Sequence, residues 1–537
     1  MLPLLLALQG PLAATADTIH PRHDAVHHDV ILVLGDTGTH ILGQVQTTWV
    51  LGSSDPVEVP LDSTFRVIRV LTDGEGERRM GRISFALNPG GGVYIPHHRQ
   101  AGDTLRTTIR YHGQVRDGLI IRVDSAGRRT IFADNWPDRL HRWLPVPDHP
   151  SDKVTVDFHI ETSPGYTVIA NGVLVKVDTL LYGRTVWHFT MREPIPPYGI
   201  VVGAGPLVTT TLAQATCRVR CVPLALLTFR EDSSWAGTGP FRRAGDMVDY
   251  FSGLIGPFPY RRLTHVESTT IFGGMENPTA IFYDAKAFAR HSLSELTVAH
   301  ETAHQWFGDA ITERDWHHLW LSEGFADYFA ALWLRHADGD SAFRAEMQKE
   351  AASVFGSQAT ARPILDTTAT DLMGMLNSNN YSKGSWVLHS LRGLMGDSAF
   401  VKGIRDWYAS RRDSTALSSD FGQTMSAAAG QDLTWYFLQA LTQPGFPRLE
   451  VTWRAYGKRL TLTLRQTQPE EWGLFRIPNL RVTVDGRTVP VDVEGRETVL
   501  NLRVAKAKIH TVVVDPDGWW LLQTMGNGEQ GTGNGGR

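Results

Sequence analysis

Alternating apolar and polar residues predict β-strands near both ends of the chain. Short runs of this kind follow one another from about residue 24 to 205, and a second alternating stretch begins at Phe446. In that second stretch Leu460, Leu462 and Leu464 are separated by threonines. Because the side chains of a strand point to opposite faces in turn, this period of two predicts an all-β N-terminal domain and a C-terminal β-sandwich. The early strands are expected at 30–34, 41–51, 65–71, 83–87, 105–111 and 154–160.

The region between these two stretches combines strands with helices. Strands are expected at 218–222, 264–267 and 280–283, and they precede segments whose apolar residues recur every three or four positions. That spacing places apolar side chains along one face of an α-helix. The predicted fold class is therefore multidomain α+β. The expected divisions are an all-β domain at 17–205, an α+β domain at 206–445, a β-sandwich at 446–524 and a disordered glycine-rich tail at 525–537.

Composition narrows the class of protein and its partners. The chain has 537 residues, of which 42% are hydrophobic and 20% charged, and its formal net charge is -4. This length supports several domains, and the charge gives no bias towards polyanions, so nucleic acid is not an expected partner. Beyond the N-terminus no segment reaches the roughly 18 to 20 apolar residues of a membrane span. Composition leaves the oligomeric state open.

The N-terminal residues resemble an export signal. Residues 2–12 form a short apolar run, followed by Ala14-Thr15-Ala16, a small-x-small sequence that a signal peptidase can cut. We therefore expect a signal peptide at 1–16 and a secreted or periplasmic protein. Because no basic residue precedes the apolar run, a truncated start, or a buried strand in a cytoplasmic protein, is the alternative.

The chain has two cysteines, Cys217 and Cys221, in a stretch that alternates like a strand. In an extended strand their Cα atoms would lie about 13 Å apart, which is beyond the reach of a disulfide. A bond between them requires a turn. Two partly buried thiols are the favoured interpretation.

The main candidate for chemistry is the sequence His300-Glu301-Thr302-Ala303-His304, which fits the pattern H-E-x-x-H. A capping box that starts at Ser292 predicts a helix running through His304. On a helix His300 and His304 lie one turn apart on one face, with Cβ atoms about 5 to 6 Å apart, so both imidazoles can bind one ion. Glu301 then lies beside the open side of the metal. Two ordinary surface histidines are the alternative.

Glu323 strengthens the metal hypothesis. It follows His304 by 19 positions and opens a second predicted helix, which can supply a carboxylate as third ligand. Two histidines and one glutamate leave the fourth position of a zinc ion for water, as a hydrolytic site requires. We expect one zinc ion per chain, with Glu301 as general base. Tyr381 is a candidate donor to the oxyanion, although a lone tyrosine more often serves packing.

Four sequence blocks together resemble the gluzincin aminopeptidases typified by aminopeptidase N, over about residues 130 to 445. The resemblance implies a thermolysin-like catalytic domain with zinc ligands His300, His304 and Glu323. It also implies Glu301 as general base and transition-state stabilisation by Tyr381. The blocks are Gly273-Gly274-Met275-Glu276-Asn277, the ten residues from His300 to Asp309, the seven from Trp320 to Ala326, and Tyr381-Ser382-Lys383-Gly384.

The resemblance also implies how a substrate binds. The residues Gly273, Gly274, Met275 and Asn277 form an extended edge for the substrate backbone, and Glu276 binds the free α-ammonium. Relatives supply a second amine-binding Gln or Glu from the β domain, where this chain has Asp134 and Asn135. Asn135 or Asp134 is the candidate replacement, and Asn135 is the one assigned to substrate binding. Asp309 stands where relatives commonly have Asn; a helix cap is favoured over a role in orienting an imidazole.

The expected function is that of a zinc aminopeptidase acting on peptides with a free N-terminus. A zinc endopeptidase or another zinc hydrolase is the alternative among enzymes, and Glu276 distinguishes them because an endopeptidase needs no amine anchor. A non-catalytic peptide-binding scaffold is the alternative from another class. Such a scaffold would be expected to have lost at least one of the five metal-binding and catalytic residues, all of which are present.

Overall fold

The computed structural model describes residues 22–73, 80–82, 86–87, 91–124, 127–212, 221–504 and 509–526. The chain divides into two compact units. The N-terminal unit extends to Trp316 and includes Tyr408–Ala416. The C-terminal unit comprises His317–Trp407 and the chain from Leu417 onward. The division at Trp316 falls inside the region expected to form one α+β domain, and the expected domain boundaries remain predictions.

The first part of the N-terminal unit is all β, as the alternating pattern predicted. Its strands form an eight-stranded, a four-stranded and a three-stranded sheet. The strands are β1 (His23–Leu34), β2 (His40–Leu51), β3 (Val57–Val59), β4 (Phe65–Asp73), β5 (Met80–Arg82), β6 (Ala86–Leu87), β7 (Val93–Ile95), β8 (Thr104–Gln114), β9 (Leu119–Val123), β10 (Arg129–Ala133), β11 (Val154–Thr162), β12 (Thr167–Ala170), β13 (Val173–Thr179), β14 (Thr185–Ile195) and β15 (Val202–Gly205).

The large sheet has the order β13-β14-β11-β1-β2-β8-β4-β5. Strand β1 pairs in parallel with β11 and antiparallel with β2. Along β11 every second residue is buried, so one face of the strand packs inward and the other carries polar side chains. Part of the expected strand at 83–87 lies outside the described residues.

The second part of the N-terminal unit is a mixed five-stranded sheet with the order β16-β17-β18-β20-β19, accompanied by helices. Strands β17, β18 and β20 are parallel, and the short edge strand β19 runs antiparallel to β20. Its elements are β16 (Val208–Thr211), β17 (Leu224–Thr228), α1 (Ser233–Thr238), α2 (Ala244–Leu254), β18 (Leu263–Ser268), β19 (Gly274–Met275), β20 (Ala280–Asp284), α3 (Ala285–Ala289) and α4 (Glu295–His304), followed by the parallel pair β21 (Ile311–Glu313) and β22 (Ser414–Ala416).

The prediction of a strand at 218–222 is wrong for the part of this range that the structure describes. Residues 221 and 222 are not in a strand, and the strand that pairs with β18 is Leu224–Thr228. A strand inside a parallel sheet is covered on both faces, so it forms a continuous apolar run rather than an alternating one. The alternating pattern therefore did not predict the strand at 224–228, and residues 218–220 lie outside the described residues.

Cys221 is disulfide-bonded, so the interpretation of two free thiols is wrong. The only other cysteine of the sequence, Cys217, lies outside the described residues. The argument from strand length failed because it assumed an extended chain at Cys221, which is not in a strand.

The C-terminal unit combines helices with a β-sandwich. In the helical part, helix α5 (Trp320–Asp338) passes close to helix α7 (Gly384–Met395). A Cβ atom on Gly324 would come within 2.7 Å of the backbone of Gly384. Two glycines thus allow this close approach. The helices after residue 317 are α5 (Trp320–Asp338), α6 (Asp340–Gly356), α7 (Gly384–Met395), α8 (Asp397–Arg411), α9 (Ser418–Ala429) and α10 (Thr434–Thr442).

The β-sandwich consists of the sheets β27-β24-β23-β29 and β26-β25-β28. Leu460, Leu462 and Leu464 are all fully buried in its core, which confirms the alternation seen in the sequence. Its last strand contains Met525 and Gly526, so these two residues do not belong to a disordered tail; residues 527–537 lie outside the described residues. The strands are β23 (Arg448–Tyr456), β24 (Arg459–Gln466), β25 (Ile477–Val484), β26 (Arg487–Val493), β27 (Glu497–Arg503), β28 (Val512–Val514) and β29 (Gln523–Gly526).

Within the described part of the chain, none of the helices combines the length and the apolar character needed to cross a membrane.

Candidate active site

Helix α4 carries the H-E-x-x-H sequence. The hydroxyl of Ser294 accepts a hydrogen bond from the amide of Thr297 at 3.0 Å, so Ser294 is the N-cap and the helix begins at Glu295. The expected start at Ser292 is wrong by two residues, because the amide of Ser292 donates to the carbonyl of Ala287 in the preceding turn. The helix ends at His304.

The two histidines of α4 face each other. The Nε2 atoms of His300 and His304 lie 3.0 Å apart, and Nδ1 of His304 lies 3.0 Å from the carbonyl oxygen of Phe307. A carbonyl only accepts hydrogen bonds, so Nδ1 of His304 carries hydrogen and Nε2 of the neutral ring offers its lone pair. Two imidazole nitrogens directed at one point suit zinc, so the residues present fit this ion.

Glu301 and Glu276 lie beside His304. One ligand atom from each of these three buried residues lies within 4.8 Å of the others. Gly274, on the edge strand β19, is in direct contact with Glu301, since a Cβ atom at this position would sit 1.9 Å from Glu301 Oε1. Only glycine allows the backbone of β19 to pass this close to the carboxylate.

Gln305 connects α4 to the segment that carries Glu276. Its Nε2 donates to the carbonyl oxygen of Glu276 at 2.6 Å and to Oδ2 of Asp309 at 2.7 Å. Its Oε1 accepts from the amide of Thr279 at 3.0 Å. Sequence reasoning missed this role. The only signal in the sequence was a glutamine directly after the second histidine. Two of the residues that it bonds, Thr279 and Glu276, lie 26 and 29 positions away.

Asp309 caps no helix; its carboxylate accepts from Gln305 instead. Burial raises the pKa of Asp309 well above its usual range, and the charge of Glu276 adds to the effect. Nζ of Lys153, a half-buried residue, donates to the carbonyl oxygens of Asp309 and Ala310 at 2.7 and 2.9 Å. These contacts fix the chain directly after α4.

The side chain of Asn135 is engaged within the β domain. Its Nδ2 donates to the carbonyl oxygen of Ile200 at 2.6 Å, and its Oδ1 accepts from Nε1 of Trp143 at 2.9 Å. These contacts favour a structural role. The neighbouring Asp134 was the other candidate, and its Oδ2 accepts from the amide of Ile271 at 2.9 Å, close to the 273–277 segment.

Glu323 and Tyr381 lie in the C-terminal unit. Glu323 is buried in the first turn of α5, and Tyr381 belongs to a π-helical turn, Asn379–Lys383, that runs into α7. Asn379 and Asn380 hold this turn by donating to the carbonyl oxygens of Ala359 and Met375 at 2.7 and 2.8 Å. Sequence reasoning missed both asparagines.

Residues 246–439 match the peptidase family M1 domain. This match covers about a third of the chain, in the part that carries α4, α5 and α7. Among the curated proteins that the chain is similar to, probable aminopeptidase 1 of Saccharolobus solfataricus is 22% identical over 75% of this chain and 53% of its own length. The tricorn protease-interacting factor F2 of Thermoplasma volcanium is 25% identical over 69% of this chain and 46% of its own length. The chain thus spans about half the length of these curated relatives.

A crystal structure of an M1 zinc metallopeptidase from Deinococcus radiodurans has the same fold. Its TM-score is 0.69 at 24% identity, over 79% of this chain and 94% of the other. This likeness confirms the fold class that the sequence predicted. The match of residues 246–439 to the peptidase family M1 domain implies a zinc cofactor, which agrees with the donor chemistry of His300 and His304.

Proposed function

We propose that this chain is a zinc-dependent aminopeptidase that removes single residues from peptides with a free N-terminus. The observation that carries the proposal is the position of Glu276, whose carboxylate lies within 4.8 Å of ligand atoms of Glu301 and His304. A second buried carboxylate so close to a general base raises the electrostatic energy of the site. A substrate ammonium group compensates for it, and the bond cleaved is then the first of the chain.

The proposed mechanism assigns His300, His304 and Glu323 as ligands of one zinc ion per chain. Bound zinc would polarise the scissile carbonyl and acidify the attacking water. Glu301 accepts the proton of that water and passes it to the leaving amine. The hydroxyl of Tyr381 donates to the oxyanion of the tetrahedral intermediate.

The backbone of Gly273, Gly274, Met275 and Asn277 provides the edge along which the substrate lies. Among the described residues, strand β19 in this segment lies at the edge of its sheet beside β20, so a peptide can add to its outer side. Gln305 holds this segment against α4 through the carbonyl of Glu276. We leave Asn135 out of the proposed amine site, since its amide already bonds Ile200 and Trp143.

The test compares one peptide with a free and with an acetylated N-terminus, and identifies the products by mass. We expect stepwise loss of single residues from the free peptide only. Glu301→Gln should lower kcat by about 10²- to 10⁴-fold, the usual value of a general base. Glu276→Gln should lower kcat/KM by roughly tenfold to a hundredfold, mainly through KM, because a charged hydrogen bond is lost.

Three outcomes would contradict the proposal in different ways. Internal cuts in both peptides would identify an endopeptidase. Zinc binding without cleavage would favour the scaffold. Equal kcat/KM for wild type and Glu276→Gln would remove the amine anchor while leaving the hydrolytic centre intact.

We also propose that the protein is exported. The apolar run at 2–12 and the Ala14-Thr15-Ala16 sequence support this, and so does the disulfide of Cys221, since disulfides persist mainly in oxidising compartments. Mass spectrometry of the protein purified from its native source would check it. A mature N-terminus at Asp17 is expected, and an uncleaved chain inside the cell would contradict export.

A further inference from the structure

A row of ionisable side chains crosses the large sheet of the β domain. It consists of Asp178 on β13, His188 on β14, His159 on β11 and Asp29 on β1, four strands that are neighbours in the sheet. His159 and His188 lie opposite each other in the antiparallel pair of β11 and β14. The two imidazoles are 33% and 17% exposed, so solvent reaches both.

Carboxylates flank the histidine pair on both sides. Nε2 of His159 lies 3.2 Å from Oδ1 of Asp29, and Nε2 of His188 lies 2.9 Å from Oδ2 of Asp178. Both contacts are within ion-pair distance, although Oδ1 of Asp29 and Nε2 of His188 make no hydrogen bond among the described residues. An ionised carboxylate beside Nε2 favours the tautomer that carries hydrogen on Nε2. In a neutral imidazole the Nδ1 atom then has the lone pair.

The two Nδ1 atoms lie only 2.7 Å apart. With both rings in this tautomer, two lone pairs face each other and repel. A cation between them removes the repulsion and binds both nitrogens. The surroundings attract a cation: the carboxylates of Asp29, Asp178 and Asp157 act on the histidine pair, and they outnumber the cations Lys176 and Arg192 beside them.

We propose that His159 and His188 form a second binding site for a divalent transition metal ion such as Zn²⁺ or Cu²⁺. Imidazole is the preferred ligand of these ions, and a ligating histidine usually donates its other N–H to a carboxylate. At metal–nitrogen distances of about 2.0 to 2.1 Å the two Nδ1 atoms must separate to roughly 3.3 Å. Partly exposed rings on a sheet surface can rotate by this small amount. Water completes the coordination.

A second histidine pair on the same sheet provides a control. Nε2 of His40 lies 3.1 Å from Nδ1 of His112, on the neighbouring strands β2 and β8. Among the described residues neither ring has a carboxylate within ion-pair distance, so nothing selects the tautomer that would direct two lone pairs at one ion. This pair should not bind the metal with comparable affinity.

The test titrates the zinc-loaded, full-length enzyme with further Zn²⁺ by calorimetry. Wild type should take up one additional ion per chain. His159→Gln and His188→Gln should bind it at least tenfold more weakly, and the paired variant His40→Gln/His112→Gln should bind it like wild type. Because these histidines are not part of the proposed peptidase site, the variants at His159, His188, His40 and His112 should keep wild-type activity. A His304→Gln variant should lose the catalytic ion and retain the second site.

Copper gives an independent readout. The electron paramagnetic resonance spectrum of Cu²⁺ added to the zinc-loaded enzyme should show coupling to two imidazole nitrogens, and to one in either single variant. Equal zinc uptake by wild type and His159→Gln/His188→Gln would overturn the proposal. So would the absence of uptake beyond the catalytic ion, which would mean that a shared proton alone joins the two Nδ1 atoms.

Discussion

Gly274 shows how strongly one residue can determine the position of a proposed catalytic group, the carboxylate of Glu301. A Cβ atom there would lie 1.9 Å from Glu301 Oε1, so Gly274→Ala must displace either the carboxylate or β19. A misplacement of about 1 Å at a reacting group can lower the rate on the order of 100-fold. We expect this loss in kcat with little change in melting temperature, measured with an aminoacyl anilide substrate and by calorimetry.

The neighbouring Gly273 offers a matched comparison. A Cβ atom at Gly273 has no neighbour within 4 Å, although the residue belongs to the same proposed substrate edge. Gly273→Ala should therefore lose at least tenfold less activity than Gly274→Ala. Similar losses in both variants would mean that the flexibility of the segment, rather than the contact with Glu301, determines the rate.

At the scale of elements, the hydrogen bonds of the Gln305 side chain hold the segment that carries Glu276 against α4. Gln305→Leu removes the donor to the Glu276 carbonyl and leaves the Thr279 amide without its acceptor. Because Glu276 is the proposed amine anchor, KM should rise by at least tenfold, and the preference for free over acetylated N-termini should fall. Steady-state kinetics with both peptides would measure these changes.

Thr302 provides the control on the same helix. Its hydroxyl donates to the carbonyl oxygen of Val298 at 2.7 Å, within α4 itself, and in the part of the chain that the structure describes it makes no hydrogen bond to the 273–277 segment. Thr302→Val should therefore leave KM unchanged. A rise in KM equal to that of Gln305→Leu would show that any disturbance of α4 has this effect, and would contradict a positioning role for Gln305.

These elements also show what the sequence can and cannot predict. The helix through His304 and the buried leucines at 460, 462 and 464 follow from local periodicity, which a sequence displays directly. The bridge from Gln305 to Glu276 and the pairing of His159 with His188 depend on strand order and register. Their partners lie 29 positions away in both cases, and no local pattern encodes such contacts.

At the scale of the whole molecule, the burial of Lys383 in the turn before α7 costs electrostatic free energy. Burial lowers the pKa of Lys383 to about 7, and the one hydrogen bond of its ammonium group among the described residues is a long contact of 3.5 Å to the carbonyl oxygen of Gln443. The native state therefore releases this proton near neutral pH, whereas the unfolded chain holds it up to about pH 10.4. Between these values the unfolded state binds more protons, so the free energy of unfolding rises with pH.

Lys383→Met removes this dependence. From pH 7.5 to 9.5 the free energy of unfolding of wild type should increase relative to the variant by about 1.4 kcal/mol per pH unit, the value for one proton. Urea denaturation of both proteins at several pH values measures the difference. Lys349→Met is the control, because the Lys349 side chain is 73% exposed and is solvated in both states. If wild type and Lys383→Met change in parallel, Lys383 is charged in the native state, and a partner or bound water must compensate for its burial.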